Sequence, residues 1–294
     1  MLRLLTLASA LVFLFVPAAS AGGFGPTVGG TPISAAPGTV VTFDGLSVIV
    51  PAPGHEVTNT ATTITGGITL QVQTAPDGSV YERTSSGPAL AGMDTAASND
   101  GCSDTFQPGD LGFKWTSTFK WYFHSNSTPS RNNVDNVETD LKAGTSHITG
   151  EYNNCGRPDT VSATQSYGGR LQKSTNVRDD GGCNPPDGTN MIGFGILPGG
   201  VIGDTCDYSS NGVAQESDMR LNSSLNWITD EGSGCQTSYF VDNIATHERG
   251  HTFGMDDEYN ASHTELTMYG YASPCTTGKE TLALGDMLRL ESKY

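Results

Sequence analysis

Residues 241–257 read VDNIATHERGHTFGMDD, and their spacing predicts a helix that presents two histidines on one face. Residues four positions apart lie above one another on an α-helix, so His247 and His251 can direct both imidazoles at one metal ion. Glu248 lies one position further round the helix, beside such an ion, where its carboxylate can accept a proton from a bound water. The stretch therefore predicts a metal-binding helix that carries its own general base.

The residues around this pattern favour a helix that faces the core. Phe240 and Ile244 extend the stripe that carries the two histidines. Gly254 comes three residues after His251 and can take the left-handed turn that ends a helix. Two histidines at this spacing can also be an ordinary polar or core pair. The chain has only six histidines in 294 residues, however, and this makes a chance occurrence of the pattern improbable.

The pattern resembles a family signature. Residues 247–257 match HExxHxxGxxD, which resembles the extended zinc signature of the metzincin metalloproteases. Most of that clan has histidine at the position of Asp257, whereas small secreted bacterial neutral proteases of the snapalysin type have aspartate there. Residues 266–270, LTMYG, resemble the methionine-containing turn that lies beneath the metal in these enzymes. Residues 113–294 as a whole resemble a secreted bacterial matrixin-like catalytic domain.

The resemblance implies a Zn²⁺ ion bound by His247, His251 and Asp257, with Glu248 as the catalytic general base. Asp257 has the spacing of the signature, but three other side chains nearby remain alternatives for the third ligand: Asp256, Glu258 and His263.

The resemblance also implies an α+β fold, with a twisted, mixed five-stranded sheet over the active-site helix and a C-terminal helix. Residues 199–205 would form the antiparallel lower-edge strand, whose free backbone groups bind an extended peptide. The residue patterns themselves predict a strand over 113–123, a helix from about residue 130 and a final helix over 281–290. Short strands are expected near residues 162–166, 191–194, 201–206 and 217–221.

Composition divides the chain into three parts. Residues 1–21 have a positive start, an apolar core and a small-residue cleavage site, and this predicts a secretory signal peptide. Residues 22–104 are rich in Gly, Thr, Ala and Pro, with strands expected at 40–43, 46–50 and 68–72. They are either a pro-region that is later removed or a β-rich accessory segment that stays. Matrixins block their zinc with a pro-region cysteine, and no cysteine precedes Cys102 here. Residues 105–294 are the expected zinc metallopeptidase domain.

All six cysteines follow the expected signal peptide, and an even number in an exported chain predicts three disulfides. The residues alone leave the connectivity open. The resemblance implies sequential pairing, as Cys102–Cys155, Cys183–Cys206 and Cys235–Cys275.

A second ion site is suggested by composition. Asp179, Asp180 and Asp187 lie in a glycine-rich loop whose oxygen atoms can hold Ca²⁺, as a comparable loop does in matrixins. Turn formation by itself also selects Asp, Asn, Gly and Pro. Calcium is therefore one of two interpretations of this loop.

The formal net charge of −16 argues against nucleic acid or an anionic membrane as a partner. Taken together, the sequence predicts a secreted, monomeric zinc endopeptidase that acts on protein or peptide substrates. The alternative is a non-catalytic secreted metal-binding or adhesion module that keeps the zinc site for stability. A structural zinc site is usually closed by four protein ligands, whereas three are well placed here, and this favours the enzyme.

Overall fold

The computed structural model describes residues 30–87, 101–229 and 234–294. The expected signal peptide lies outside the described residues. The first part contains six strands: β1 (Thr31–Ile33), β2 (Val40–Phe43), β3 (Leu46–Ile49), β4 (His55–Thr63), β5 (Gly66–Thr74) and β6 (Val80–Ser86). The remainder contains β7 (Phe119–Phe123), β8 (Gln165–Arg170), β9 (Asn190–Gly195), β10 (Val201–Ser210), β11 (Val213–Asn222), β12 (Asn226–Ile228) and β13 (Ser238–Phe240). Its α-helices are α1 (Val134–Thr149), α2 (Val241–Thr252) and α3 (Leu284–Lys293).

One large mixed sheet organises the described chain, in the order β1-β6-β5-β4-β10-β11-β9-β7-β8. The strands β8, β7, β9 and β11 run parallel to their neighbours in this half, and β10 is antiparallel to β11. A tight turn at Asn211 and Gly212, both with positive φ, joins β10 to β11. The α+β class and the C-terminal helix are as predicted.

The expected five-stranded sheet is wrong in extent, because strands from the N-terminal segment continue it. Strand β4 pairs antiparallel with β10 from Thr63–Val201 to His55–Ser210. Strands β5, β6 and β1 follow outward from β4. The resemblance implied that residues 199–205 form the lower-edge strand, yet β10 is interior, between β4 and β11. An edge strand offers unpaired N–H and C=O groups, and β4 satisfies them here.

Of the three apolar clusters in the described residues, the smallest joins Leu266, Tyr269 and Ala283, and the other two build the core. The larger one joins the aromatic residues of β7 with α1, α2 and α3. The smaller one joins the β2–β3 hairpin and strands β4 and β5 to Cys206 and Tyr208 of β10. The N-terminal strands therefore share both a sheet and a core cluster with β10.

All six cysteines are paired as the resemblance implied, in Cys102–Cys155, Cys183–Cys206 and Cys235–Cys275. The last pair joins the segment before β13 to the loop that follows residues 266–270. Among the described helices, none has the length and apolar character needed to cross a membrane.

Element boundaries differ from the sequence-based expectations in several places, and the strand expected near residues 162–166 is found as β8 at Gln165–Arg170. Only residues 119–123 of the predicted strand 113–123 form β7, and α1 begins at Val134, where Asn133 caps the helix. The last helix spans Leu284–Lys293 rather than 281–290. The carboxylate of Asp286 accepts the N–H of Ala283 at 3.1 Å, which fixes the start of this helix.

Candidate metal centre

Helix α2 carries the histidine pair and is buried on nearly every side. It packs between α1 and the sheet, and Gly144 of α1 makes the close approach possible. A Cβ at Gly144 would lie 2.9 Å from the backbone nitrogen of Thr246. On another side, the sulfur of Met268 fills the space beside Gly250, where a Cβ would be 2.1 Å away. Small residues at these two positions let α2 lie deep in the molecule.

Three donor atoms converge at the end of this helix. The Oδ1 atom of Asp257 lies 3.2 Å from Nε2 of His247 and 3.6 Å from Nε2 of His251. All three side chains are fully buried, and none of these three atoms has a hydrogen-bond partner. A buried polar atom without a hydrogen-bond partner costs about 1–3 kcal/mol, and three of them facing one point form a group that could hold a metal ion. A metal ion satisfies all three at once. Within the described residues, this is the group of His, Cys, Asp and Glu side chains that could hold one.

Backbone carbonyls orient both imidazoles. The Nδ1 atom of His247 lies 2.7 Å from the carbonyl oxygen of Thr267, and that of His251 lies 2.9 Å from the carbonyl of Met255. Donation from Nδ1 leaves each Nε2 unprotonated and directed at the cluster, which is the tautomer that binds a metal. Burial, reinforced by the nearby Lys279 cation, lowers the pKa of His247 and favours its neutral form.

Neighbouring charges shift the pKa values of His251 and Asp257 in opposite directions. Burial favours the neutral form of His251, but the carboxylates of Asp257 and Glu248 outweigh this effect and raise the pKa of its imidazole. Burial likewise acts against ionisation of Asp257, yet the two histidines lower its pKa. The surroundings of Asp257 therefore favour its anionic form.

Two buried charged residues hold the turn beneath the cluster. The Nζ of Lys279 donates to the carbonyl of Thr267 at 2.9 Å and also to the carbonyl of Tyr269. The carboxylate of Asp286 accepts the N–H groups of Thr267 at 2.7 Å and of Met268 at 3.2 Å. The carbonyl that orients His247 is thus fixed from both sides.

Glu248 is fully buried and is held by a residue of β10. Its Oε2 accepts a hydrogen bond from the Thr205 hydroxyl at 2.7 Å, while its Oε1 has no partner. The backbone of Gly203 lies against this free oxygen, and a Cβ there would be 2.6 Å from it. One carboxylate oxygen is therefore anchored, and the other has no hydrogen-bond partner.

The alternative third ligands are turned elsewhere. Asp256 accepts from the Thr69 hydroxyl at 2.9 Å and from Arg83 at 2.5 Å. Glu258 accepts the N–H of Asn260 at 2.6 Å. His263 pairs with Asp104 at 2.8 Å and stacks on Phe106. Of the four candidates, the structure brings Asp257 to the histidines.

The three aspartates considered for calcium are not brought together. Asp179 pairs with Arg220, Asp180 with Arg178 and Asp187 with Lys173, at 2.5, 2.9 and 2.7 Å respectively. Because each carboxylate is neutralised by its own cation, the structure offers no support for an ion in this loop. The interpretation as turn-forming residues accounts for them.

Sequence reasoning missed Thr205, Lys279 and Asp286. A buried lysine has no signature in sequence, because lysine is usually exposed. Thr205 and Asp286 lie 43 and 38 residues from Glu248, and only the fold brings them to the site. In comparisons with known proteins, no family model matches the chain and no curated protein matches it.

Proposed function

We propose that the chain is a secreted zinc-dependent endopeptidase of the metzincin type. One observation carries the proposal: three buried, unpartnered donor atoms face one point, directly beside a buried glutamate with a free oxygen. A protein that needed only stability would gain more from an apolar cluster here, since unpaired buried polar atoms are costly. A bound metal ion and a reacting water would provide the partners that these atoms need.

Zinc is the proposed ion, held by His247, His251 and Asp257. Two neutral imidazoles and one carboxylate form a donor set that suits zinc, and three protein ligands are typical of catalytic zinc sites. When bound, the ion supplies Lewis acidity and an acidic water. Nothing in the described residues offers a fourth side-chain ligand of the kind that closes a structural site.

Glu248 is the proposed catalytic residue. Its free Oε1 accepts a proton from the water that attacks the peptide carbonyl carbon. The same oxygen then donates that proton to the departing amine nitrogen, so the carboxylate is regenerated. Thr205 keeps the other oxygen occupied, and this prevents the side chain from rotating out of position.

The metzincin assignment and the exported location are supported by more distant features. The mixed half-sheet β8-β7-β9-β11-β10, with only β10 antiparallel, lies beside the histidine helix in the way the resemblance implies. Residues 266–270 pass beneath that helix, with Met268 against Gly250. Three disulfides are consistent with an oxidising, extracellular environment.

The test compares purified wild type with Glu248→Gln, which keeps the shape of the side chain and removes the base. Metal content is measured in both, and hydrolysis of unfolded casein is followed before and after limited proteolysis. We expect about one zinc per chain in each protein and a loss of hydrolysis of at least about 100-fold in the variant. Glu291→Gln, at a surface ion pair with Arg157, is the matched control. A wild type without metal, or a fully active Glu248→Gln, would contradict the proposal.

A further inference from the structure

The edge of β10 that pairs with β4 lies next to the proposed catalytic carboxylate, that of Glu248. Thr205 of β10 donates to Glu248, and Gly203 of the same strand lies against the free oxygen of that residue. A polypeptide added to β10 by strand pairing would therefore have its backbone next to Glu248. Strand addition is a general way of binding an extended peptide through main-chain hydrogen bonds.

That position is taken by the chain itself. In the register of the sheet, Thr62 of β4 is opposite Gly203, and Thr60 is opposite Thr205. The hydroxyl of Thr60 also donates to the carbonyl of Thr205 at 3.3 Å. The pairing of β4 thus includes the two residues of β10 that contact Glu248.

The β4–β5 hairpin also covers the third ligand. Gly67, just after the turn, comes so close that a Cβ there would be 1.8 Å from Oδ2 of Asp257. Thr69 and Arg83 reach the neighbouring Asp256, at 2.9 and 2.5 Å. The N-terminal strands therefore hold the loop that carries the third ligand as well as the edge of β10.

The consequence is a closed site. His247, Glu248 and His251 are each 0 % exposed, and Asp257 is 6 % exposed. No peptide bond can approach Glu248 while β4 and the hairpin stay in place. No covalent bond other than the main chain holds them, because all six cysteines lie at or after residue 102.

We propose that residues 30–87 are a built-in occupant of the peptide-binding edge, and that the intact chain is latent until these strands leave β10. The partner that β10 then fits is an extended polypeptide, bound mainly through its backbone. This inference rests on the proposed function. The blocking group is a strand and a hairpin turn, so it needs no cysteine on the metal.

The decisive experiment places a site for a specific protease between residues 87 and 101 of the full chain, in a Glu248→Gln background that cannot cut itself. Binding of a fluorescent peptide hydroxamate, a zinc-directed probe with an extended backbone, is measured before and after cutting. Cutting removes the high effective concentration of the tethered strands, roughly millimolar for a short linker, so probe binding should rise as the cut protein is diluted. A chain with a scrambled protease site is the control.

A second variant leaves the chain uncut. Arg83→Ala removes the ion pair with Asp256 and so weakens the attachment of the N-terminal strands. Probe binding should increase, and so should casein hydrolysis in the chain that keeps Glu248. Each 1.4 kcal/mol lost from the free energy of attachment corresponds to about a tenfold increase. Arg157→Ala, which breaks an ion pair at the surface, should change neither.

The outcomes separate the two proposals. Probe binding that appears on cutting, without hydrolysis in the Glu248 protein, supports the strand occupant and contradicts the protease. If zinc is bound and both hydrolysis and probe binding are equal before and after cutting, the proposal of a strand occupant is overturned. The proposal of a zinc protease is then supported. Absence of bound zinc in every form overturns both.

Discussion

At the residue scale, the hydroxyl of Thr205 decides how Glu248 is presented. The 2.7 Å hydrogen bond to Oε2 is buried, so neither partner has water as a substitute. Thr205 acts through Glu248 and is a positioning residue.

Thr205→Val keeps the shape and removes this hydrogen bond. We expect kcat of the cut enzyme to fall about tenfold, since a lost hydrogen bond to a charged group is worth about 1.5 kcal/mol or more. KM and zinc content should stay near wild type, whereas a purely structural role would change stability and leave kcat per folded molecule intact. Thr118→Val, at an exposed hydroxyl pair with Thr164, is the matched control. A kcat equal to that of wild type would remove Thr205 from the site.

The residues of the cluster differ in how far sequence could predict them. His247, Glu248 and His251 lie within one turn of helix, where spacing alone determines which face they share. Asp257 follows the helix, and its selection over Asp256 depends on a turn of the backbone that periodicity does not describe. Lys279 reaches the turn from far along the chain, so no local pattern could have indicated it.

At the element scale, the crossing of α1 and α2 sets the depth of the metal-binding helix. The contact is made at Gly144, where an added Cβ would meet Thr246 and Ala245 at 2.9–3.1 Å. Two of the three atoms met are backbone atoms, which cannot rotate away.

Gly144→Ala should therefore destabilise the protein, although alanine favours a helix over glycine by about 1 kcal/mol. Overpacking of this kind costs about 1–3 kcal/mol, and separation of the helices would also displace His247, which follows Thr246. Urea unfolding and zinc affinity measure the two effects. Ser146→Ala, on the exposed face of α1, should be neutral or slightly stabilising. A Gly144→Ala protein as stable as Ser146→Ala would show that the crossing is not tight.

Local patterns also located about half of the thirteen strands in the described residues. Strands β2, β3, β5, β9, β10 and β11 lie where short apolar or β-branched runs are bounded by turn residues. The position of β10 within the sheet could not be obtained in this way. Its pairing with β4 joins residues about 145 apart, such as Thr60 and Thr205, and a strand pattern does not name its partner.

At the scale of the whole molecule, one buried acid joins the N-terminal strands to β10. Glu56 of β4 accepts from Gln71 of β5 at 2.9 Å and from Ser209 of β10 at 3.3 Å. Burial raises the pKa of Glu56 to about 7, and these hydrogen bonds and Arg83 only partly oppose the shift. The folded protein therefore holds this proton more tightly than the unfolded chain does.

This proton makes stability depend on pH. Between the ordinary pKa of 4.5 and about 7, the folded state binds more protons at Glu56 than the unfolded state, so stability falls as pH rises. The full loss is up to about 3 kcal/mol, at 1.36 kcal/mol per pKa unit. The stabilisation is complete below pH 4.5 and is gone above about pH 7. Because the side chain of Glu56 on β4 bonds to Ser209 of β10, the loss of stability weakens the contact that keeps the site closed.

Glu56→Gln keeps the acceptor for Gln71 and cannot ionise. Its stability relative to wild type should increase from pH 4.5 to pH 7.5, as measured by urea unfolding of the uncut proteins at several pH values. Taking the difference removes the pH dependence that both proteins share, including that of the metal ligands. In the uncut chain, wild type should also bind the hydroxamate better at pH 7.5 than Glu56→Gln does. A difference in stability that does not change with pH would mean that Glu56 has the same pKa in the folded and the unfolded protein, and its proton would then not contribute to the closed site.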